Sequence, residues 1–246
     1  MISRDTVHDF PNVDAAYAHA VQRIAAALRV PGSQRVTLAL SGGRSPIKLF
    51  ELLRSGSQDL SKNIPWERVV VCWVDERFVP PDHPESNYGL ARNWLLSSLP
   101  IPEEQIFPMP TDRPSPEQSA QDYEQTLRRL FALESESATA TFPCFDLVLL
   151  GMGPDGHVAS LFPGKPALDE RKRWVTHVPE PGMEPNIPRI TLTLPVLNHA
   201  RSIVALVTGS KKQLAFQEAL TNPRSVLPAA LLAPQGDMAW VTCFTD

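Results

Sequence analysis

The length, composition and charge of the chain limit what class of protein it can be. The chain has 246 residues, of which 43% are hydrophobic and 20% charged, so it is long enough to bury a substantial core. Its net charge of −4 disfavours broad binding to nucleic acid or to an anionic membrane, because both require a dense basic surface. We therefore expect a folded globular protein whose anionic ligand is small and held locally.

The cysteines and the N-terminal segment bear on location. Cys72, Cys144 and Cys243 form no C-x-x-C pair, which favours reduced thiols in a cytoplasmic protein. No histidine lies at a metal-ligand spacing from any of these cysteines, so we expect no metal site. No secretory leader is recognisable, and no apolar run approaches the roughly 20 residues that a membrane helix needs. We expect a cytoplasmic protein with one domain over residues 1–246 that is a monomer or a weak homodimer.

The first half of the chain predicts two strand–helix units. Apolar residues recur at helical spacing over residues 13–28, and a β-rich run follows over residues 36–40. After the turn that begins at Ser41, Ser45 and Pro46 are typical of an N-cap and a first helical position. The other predicted elements of this half are a strand over residues 69–74, helices over 88–96 and from 115 through 131, and a surface loop over 134–142.

The second half continues the alternation of strands and helices. Strands are predicted over residues 145–150, 190–194, 203–207 and 239–244, and a helix over 211–220. Strands that alternate with helices imply right-handed crossovers between parallel neighbours. The sequence therefore predicts an α/β fold with three α/β/α layers and a largely parallel, Rossmann-like open sheet.

A glycine-rich turn with an acid and an imidazole ends the strand predicted over residues 145–150. The run Gly-Met-Gly-Pro-Asp-Gly-His over residues 151–157 places His157 beyond the carboxyl end of that strand, where open α/β sheets collect their ligands. A neutral imidazole can take a proton from water and return it to a leaving group. Asp155 can orient that ring, or it can serve only as a cap for the following turn.

A second glycine turn lies between a predicted strand and a predicted helix. Ser41, Gly42, Gly43 and Arg44 offer backbone N–H groups and a helix N-terminus to a bound anion, although a plain tight turn is the alternative. The spacing matches neither a nucleotide P-loop nor a dinucleotide turn, which disfavours nucleoside triphosphates and NAD. Lys211, after the strand over residues 203–207, offers a countercharge and favours phosphate as the anion.

Charged residues also follow the strand over residues 69–74. Asp75, Glu76 and Arg77 come directly after this apolar run, so they must find either solvent or partners. One interpretation is a solvated loop with an ion pair. The other is that they belong to the crevice at the end of the sheet.

Four runs of the sequence resemble the 6-phosphogluconolactonase family in order and spacing. They are residues 40–43, 73–80, 86–88 and 151–164. The wider superfamily includes glucosamine-6-phosphate deaminase and shares the Asp-Gly-His turn and the Asp-Glu pair. Arg77 and the Ser-Leu-Phe-Pro-Gly run over residues 160–164 favour the lactonase. Val158 is a departure, because many relatives have threonine there.

The resemblance implies hydrolysis of 6-phospho-D-glucono-1,5-lactone to 6-phosphogluconate in the oxidative pentose phosphate pathway, without a metal or organic cofactor. Its expected partner is the phosphorylated sugar lactone alone. We expect His157, helped by Asp155 and Asp75, to act on water, and Arg77 to stabilise the oxyanion. The residues expected at the phosphate are Ser41, Gly42, Gly43, Arg44, Lys211 and, as a helper, Arg189.

Two other functions stay open at this point. A sugar-phosphate isomerase or deaminase on the same scaffold would use Asp75 to move a proton between C1 and C2, and His157 to assist ring opening. A sugar-phosphate sensor would bind without turnover. Such sensors usually carry a helix-turn-helix, and only about one helix precedes residue 36.

Overall fold

The computed structural model describes residues 1–43, 45–55, 63–132 and 142–245. The strands of this part of the chain are β1 (Val7–Asp9), β2 (Val36–Leu40), β3 (Val69–Trp73), β4 (Asp75–Arg77), β5 (Leu147–Leu150), β6 (Val175–Val178), β7 (Arg189–Leu192), β8 (Ser202–Thr208) and β9 (Asp237–Cys243). The α-helices are α1 (Val13–Leu28), α2 (Ser45–Ser55), α3 (Asn87–Trp94), α4 (Pro116–Ala132), α5 (Leu194–Asn198), α6 (Gln213–Thr221) and α7 (Pro228–Leu231).

Six strands form the central sheet in the order β1-β9-β8-β5-β2-β3, and every neighbouring pair is parallel. All residues of β2, β3 and β5 are buried. Continuous apolar strands are typical of a parallel sheet that is covered on both faces, because each side chain meets a helix layer on one side or the other. The predicted α/β class with a largely parallel sheet is confirmed.

α2 begins at Ser45, one residue before the predicted first helical position, and two other helices begin at caps that the sequence analysis did not predict. Asn12 accepts a hydrogen bond from the N–H of Ala15 at 2.9 Å and caps α1, whose bounds agree with the predicted helix over residues 13–28. Ser86 caps α3 in the same way, accepting from the N–H of Gly89 at 3.0 Å. α1 packs against β8 and β9, while α4 packs against β6 and β7. Among the described residues, none of the helices is both long and apolar enough to cross a membrane.

A second sheet, which the sequence did not predict, has the order β4-β7-β6 with antiparallel pairs. The segment over residues 75–77, for which a solvated loop was one interpretation, is strand β4. The strand predicted over residues 190–194 belongs to this sheet as β7 and not to the parallel sheet. The N–H of Leu192 donates to the carbonyl of Val74 at 2.7 Å, which ties the second sheet to the end of β3.

The strand order fixes where a ligand can bind. From β2 the chain crosses to β3 on one side, and β5 then pairs on the other side of β2. The order therefore reverses between β2 and β5, and open α/β sheets bind ligands beyond the carboxyl ends of the strands at such a point. The turns after β2 and β5 are the two glycine-rich runs of the sequence. The surface loop predicted over residues 134–142 lies, apart from Phe142, outside the described residues.

Candidate active site

A cleft of about 210 Å³ opens at the carboxyl ends of β2 and β5. Its floor is apolar and includes Leu149 and Val204 from the central sheet. The polar and glycine residues that line it come from separate segments of the chain: Ser41, Gly42, Gly43, Asp75, Arg77, Asn87, Gly151, Gly153, His157, Arg189 and Lys212. A small number of polar groups over an apolar floor is typical of a small-molecule site.

His157 and Asp155 form a hydrogen-bonded pair at this cleft. Nδ1 of His157 lies 2.6 Å from Oδ1 of Asp155, and the backbone N–H of His157 also donates to that oxygen at 3.3 Å. Burial raises the pKa of Asp155, but the hydrogen bond and charge of His157 outweigh burial and leave that pKa below its ordinary value. A carboxylate that accepts from Nδ1 leaves Nε2 as the basic nitrogen, so the pair suits proton transfer.

The glycines of the turn make room for this pair. A β-carbon on Gly153 would lie 2.1 Å from both Cε1 and Nδ1 of His157, so only glycine lets the ring lie over the backbone. Gly156 has a φ of +83°, in the left-handed region that glycine adopts without strain. The N–H of Gly153 donates to the carbonyl of His157 at 2.9 Å, which closes the turn. The sequence Gly-x-Gly-x-Asp-Gly-His thus fixes the imidazole.

Phe162 supports the imidazole from the segment that follows the turn. Its ring centroid lies 4.5 Å from that of His157, and its face lies 5.3 Å from Cζ of Arg189. A guanidinium over an aromatic face is attracted by the electrons of the ring. One buried phenyl ring therefore contacts both the proposed base and a cation of the cleft.

Two arginines stand opposite each other in the second sheet. Arg77 on β4 pairs with Arg189 on β7, and both line the cleft. Arg77 donates from Nη1 to the carbonyl of Glu85 at 2.8 Å and to its Oε2 at 3.1 Å, while Arg189 donates to the carbonyl of Pro185 at 3.1 Å. Within the described residues, the buried Nε of each arginine has no hydrogen-bond partner.

The pairing of these arginines makes the cleft attractive to an anion. Arg189 is 3% exposed, and burial lowers its pKa; the nearby charge of Asp75 raises that pKa and the charge of Arg77 lowers it. Like charges directly opposite in a sheet are destabilising, and a buried cation costs free energy unless it is paired. A bound anion would lower both costs.

Asp75 is a buried carboxylate, 5% exposed, at the wall of the cleft. Its Oδ2 accepts from the hydroxyl of Ser160 at 2.6 Å, and its Oδ1 accepts from Nδ2 of Asn87 at 3.3 Å. The same Nδ2 donates to the backbone carbonyl of Asp75 at 2.8 Å. These bonds hold the carboxylate in one orientation.

The turn after β2 and a lysine after β8 complete the cleft. Gly43 has a φ of +95°, and a β-carbon on Gly42 would lie 1.8 Å from Oδ1 of Asn87. Lys211, the predicted phosphate ligand, is exposed and is not among the residues that line the cleft, whereas Lys212 is. Burial lowers the pKa of Lys212. Arg44 lies outside the described residues.

Most of the predicted site residues therefore meet at one place. Those that line the cleft are Ser41, Gly42, Gly43, Asp75, Arg77, His157 and Arg189, and Asp155 joins them through His157. Sequence reasoning missed Lys212, Phe162 and the amide of Asn87. The Ser-Asn-Tyr run over residues 86–88 was a signal for Asn87, because the resemblance already included that run.

The fold and the site together define a class. The parallel sheet carries a His–Asp pair beside two arginines at its switch point. This arrangement is typical of an α/β protein with a pocket for a small anionic ligand. The particular family follows from comparison. Residues 11–240 match the family described as glucosamine-6-phosphate isomerases/6-phosphogluconolactonase, and the chain belongs to that family.

Individual relatives agree with this assignment. A 6-phosphogluconolactonase of Synechocystis sp. is 44% identical over 208 residues, which cover 83% of this chain and 80% of the relative. A 6-phosphogluconolactonase of Nostoc sp. is 38% identical, with 97% of this chain and 95% of the relative covered. The solved 6-phosphogluconolactonase of Trypanosoma cruzi superposes with a TM-score of 0.83 at 28% identity and covers 97% of this chain and 94% of its own.

Proposed function

We propose that the chain hydrolyses 6-phospho-D-glucono-1,5-lactone to 6-phosphogluconate, the second step of the oxidative pentose phosphate pathway. The observation that carries the proposal is the shared cleft of the His157–Asp155 pair and the Arg77–Arg189 pair. Ester hydrolysis needs a base for water and donors for an oxyanion, and a phosphorylated substrate needs cations. The relatives named 6-phosphogluconolactonase support the same reaction.

His157 performs both proton transfers in this proposal. Nε2 takes a proton from water as the water oxygen attacks C1 of the lactone, and the carbonyl oxygen becomes an oxyanion. The C1–O5 bond then breaks, and the imidazolium returns the proton to O5. The products are the C5 hydroxyl and a carboxylic acid, which ionises. Asp155, ionised because its pKa is low, stabilises the imidazolium between the two steps.

Arg77 is the proposed donor to the oxyanion. It lies on β4 two residues after Asp75, and its guanidinium is held by Glu85 at 2.8 Å and 3.1 Å. A donor that is fixed before the reaction stabilises developing charge without reorganisation, an effect worth about 3 kcal/mol per donor in other enzymes. Asp75, held by Ser160 and Asn87, is the proposed partner for the attacking water.

The phosphate is proposed to lie at the start of α2. Backbone N–H groups at Gly42 and Gly43, with the positive end of the helix, favour an anion there. Lys212 replaces the predicted Lys211 as the countercharge, since it is the lysine that lines the cleft. Binding of the phosphate then fixes C1 near His157 and converts remote affinity into orientation. Arg189 supplies a further cation to the same cleft.

A lactonase assay tests the proposed function directly. Lactone is generated in the cuvette by oxidation of glucose 6-phosphate, and the rate of its removal is compared with a blank that measures spontaneous opening. We expect removal that is saturable and faster than the blank in proportion to protein concentration. A rate equal to the blank would refute the proposal.

The same sample separates the other functions. Glucosamine 6-phosphate is added in a parallel reaction, because only a deaminase releases ammonia from it. We expect no ammonia. Ammonia release would favour the isomerase or deaminase, and binding of 6-phosphogluconate without lactone turnover would favour a sensor. We also propose that the protein is cytoplasmic, which agrees with its three free thiols.

A further inference from the structure

The Ser-Asn-Tyr run over residues 86–88 has no step in the proposed reaction, yet it meets a buried acid. That acid is Glu76, which lies between Asp75 and Arg77 on β4. Successive side chains of a strand point to opposite faces. Accordingly, Asp75 and Arg77 line the cleft, and Glu76 is not among the described residues that do.

The Glu76 carboxylate binds every residue of the run. Its Oε1 accepts from the backbone N–H of Asn87 at 2.7 Å, and its Oε2 accepts from the N–H of Tyr88 at 2.7 Å and from the hydroxyl of Ser86 at 3.2 Å. The N–H of Arg77 also donates to Oε1, at 2.7 Å. Four donors from two segments therefore converge on one carboxylate.

This carboxylate is in the interior of the protein. Glu76 is 1% exposed, and burial raises its pKa to about 7; the N–H donors of Tyr88, Asn87 and Arg77 oppose that rise, and the charge of Asp75 adds to it. A buried carboxylate costs free energy unless its oxygens are hydrogen-bonded. Both oxygens of Glu76 have their donors here, together with the positive end of α3.

Asn87, the middle residue of the run, reaches into the cleft. Asn87 is 2% exposed, and its Nδ2 holds both the carbonyl and the carboxylate of Asp75. Its Oδ1 fills the space where a β-carbon of Gly42 would lie, at 1.8 Å from that position. The amide therefore lies between the wall formed by β4 and the turn after β2. Glu85, which precedes the run, holds Arg77.

We infer that Glu76 is a positioning residue of the cleft: its carboxylate fixes the first turn of α3 and, through the Asn87 amide, sets Asp75 and the Gly42 turn. The inference rests on the proposed lactonase function for its kinetic consequences. It differs from a general contribution to stability, because it predicts that the effect of Glu76 on catalysis depends on Asn87. Two residues that act as a unit show non-additive effects when both are changed.

A double-mutant cycle tests this coupling. Glu76→Gln replaces one acceptor oxygen by an NH₂ group, which cannot accept from a backbone N–H. We expect it to lower kcat/KM by about tenfold or more, mainly through kcat, as loss of a group that holds a site residue does elsewhere. Asn87→Ala should have an effect of similar size, and the double variant should be no worse than the more impaired single variant. Multiplying effects would overturn the inference.

The matched control is Glu67→Gln, which makes the same chemical change at an exposed glutamate on the segment before β3. It should retain the activity of the unchanged protein, and equal activities of Glu76→Gln and Glu67→Gln would refute the positioning role. If Glu76→Gln does not fold, Ser86→Ala removes one of the four donors, together with the cap of α3, and keeps the charge of Glu76. It should then show the same non-additivity with Asn87→Ala, and additivity would overturn the inference.

A readout without turnover separates the two proposals. The side-chain amide signal of Asn87 in a ¹⁵N spectrum is identified by its loss in Asn87→Ala. We expect it to shift in Glu76→Gln and to stay in place in Glu67→Gln, with or without lactonase activity. An unmoved signal refutes the positioning role, whereas absent turnover by the unchanged protein refutes the proposed function.

Discussion

Replacement of Gly153 by alanine should disable the His157–Asp155 pair while the fold persists. The added β-carbon would lie 2.1 Å from Cε1 and Nδ1 of His157 and 2.7 Å from Oδ1 of Asp155. Carbon contacts are ordinarily 3.5 Å or longer, so the ring must retreat by roughly 1 Å or more. The present Nδ1–Oδ1 distance is 2.6 Å, and a shift of that size takes it beyond hydrogen-bonding range.

The expected loss follows from this displacement. Misplacing a reacting group by about 1 Å costs about 100-fold in rate, which corresponds to about 2.7 kcal/mol of transition-state stabilisation. We expect kcat/KM for the phosphorylated lactone to fall by that factor. The affinity for 6-phosphogluconate should change little, because the proposed phosphate contacts at Gly42, Gly43 and Lys212 belong to other segments.

The assay compares two glycines of the same turn. Gly151→Ala is the control, since a β-carbon there would have no protein atom within 4 Å. Because Gly151 itself lines the cleft, the activities of the two variants are compared as kcat at saturating lactone. Both variants are measured against freshly generated lactone with the spontaneous rate subtracted, and thermal melts establish that both are folded. Equal activities of Gly153→Ala and Gly151→Ala would refute the argument that the turn must be glycine to hold the imidazole.

Three further predictions concern single residues. His157→Asn should lower kcat by about 10²-fold or more with an unchanged melting temperature, as expected for loss of a general base; an unimpaired variant would remove His157 from the mechanism. Lys212→Met should raise KM for the phosphorylated lactone about tenfold and spare unphosphorylated gluconolactone, whereas Lys211→Met should not; equal loss on both substrates would place the phosphate elsewhere. Burial raises the pKa of Glu76 from its ordinary 4.5 to about 7. The folded protein therefore holds the proton of the Glu76 carboxyl more tightly than the unfolded chain does. The free energy of unfolding should fall as pH rises from about 4.5 to about 7. Glu76→Gln should remove that part of the slope in urea unfolding at stepped pH, and identical slopes in the two proteins would contradict the assigned pKa.

The central sheet could be predicted from the sequence because its strands carry strong local signals. β2, β3 and β5 are uninterrupted apolar runs that end in glycine or charged residues, and the pattern of a buried parallel strand is the same wherever it occurs. The second sheet had no such signal. β4 is three residues long and reads Asp-Glu-Arg, so its strand conformation depends on pairing with β7, more than 100 positions away in sequence.

The site was predicted to the extent that its residues come directly after strands. His157, Asp75 and the turn at Gly42 follow strand ends, and parallel strand ends converge. The sequence predicted Lys211 and not Lys212, because a shift of one residue in the 3₁₀ turn over residues 210–212 turns the side chain by roughly a third of a revolution, and that rotation follows from the fold. Asn87 was missed because its role depends on Glu76, whose carboxylate reaches it from another element.

The strand order also governs when the molecule can become active during its synthesis. β2 and β5 are sheet neighbours, yet the bond from Thr37 to Asp146 joins residues 109 positions apart, and the bond from the N-terminus to Ala230 spans 229. Pairings between such distant segments close large loops before they gain contacts, so folding is slower than in proteins built from local contacts. Val204 on β8 and Lys212 in the turn after that strand are made after the other segments that line the cleft. A nascent chain that stops short of β8 therefore has the imidazole but lacks Val204 and Lys212 of the cleft, and the cleft forms only after both residues have been made.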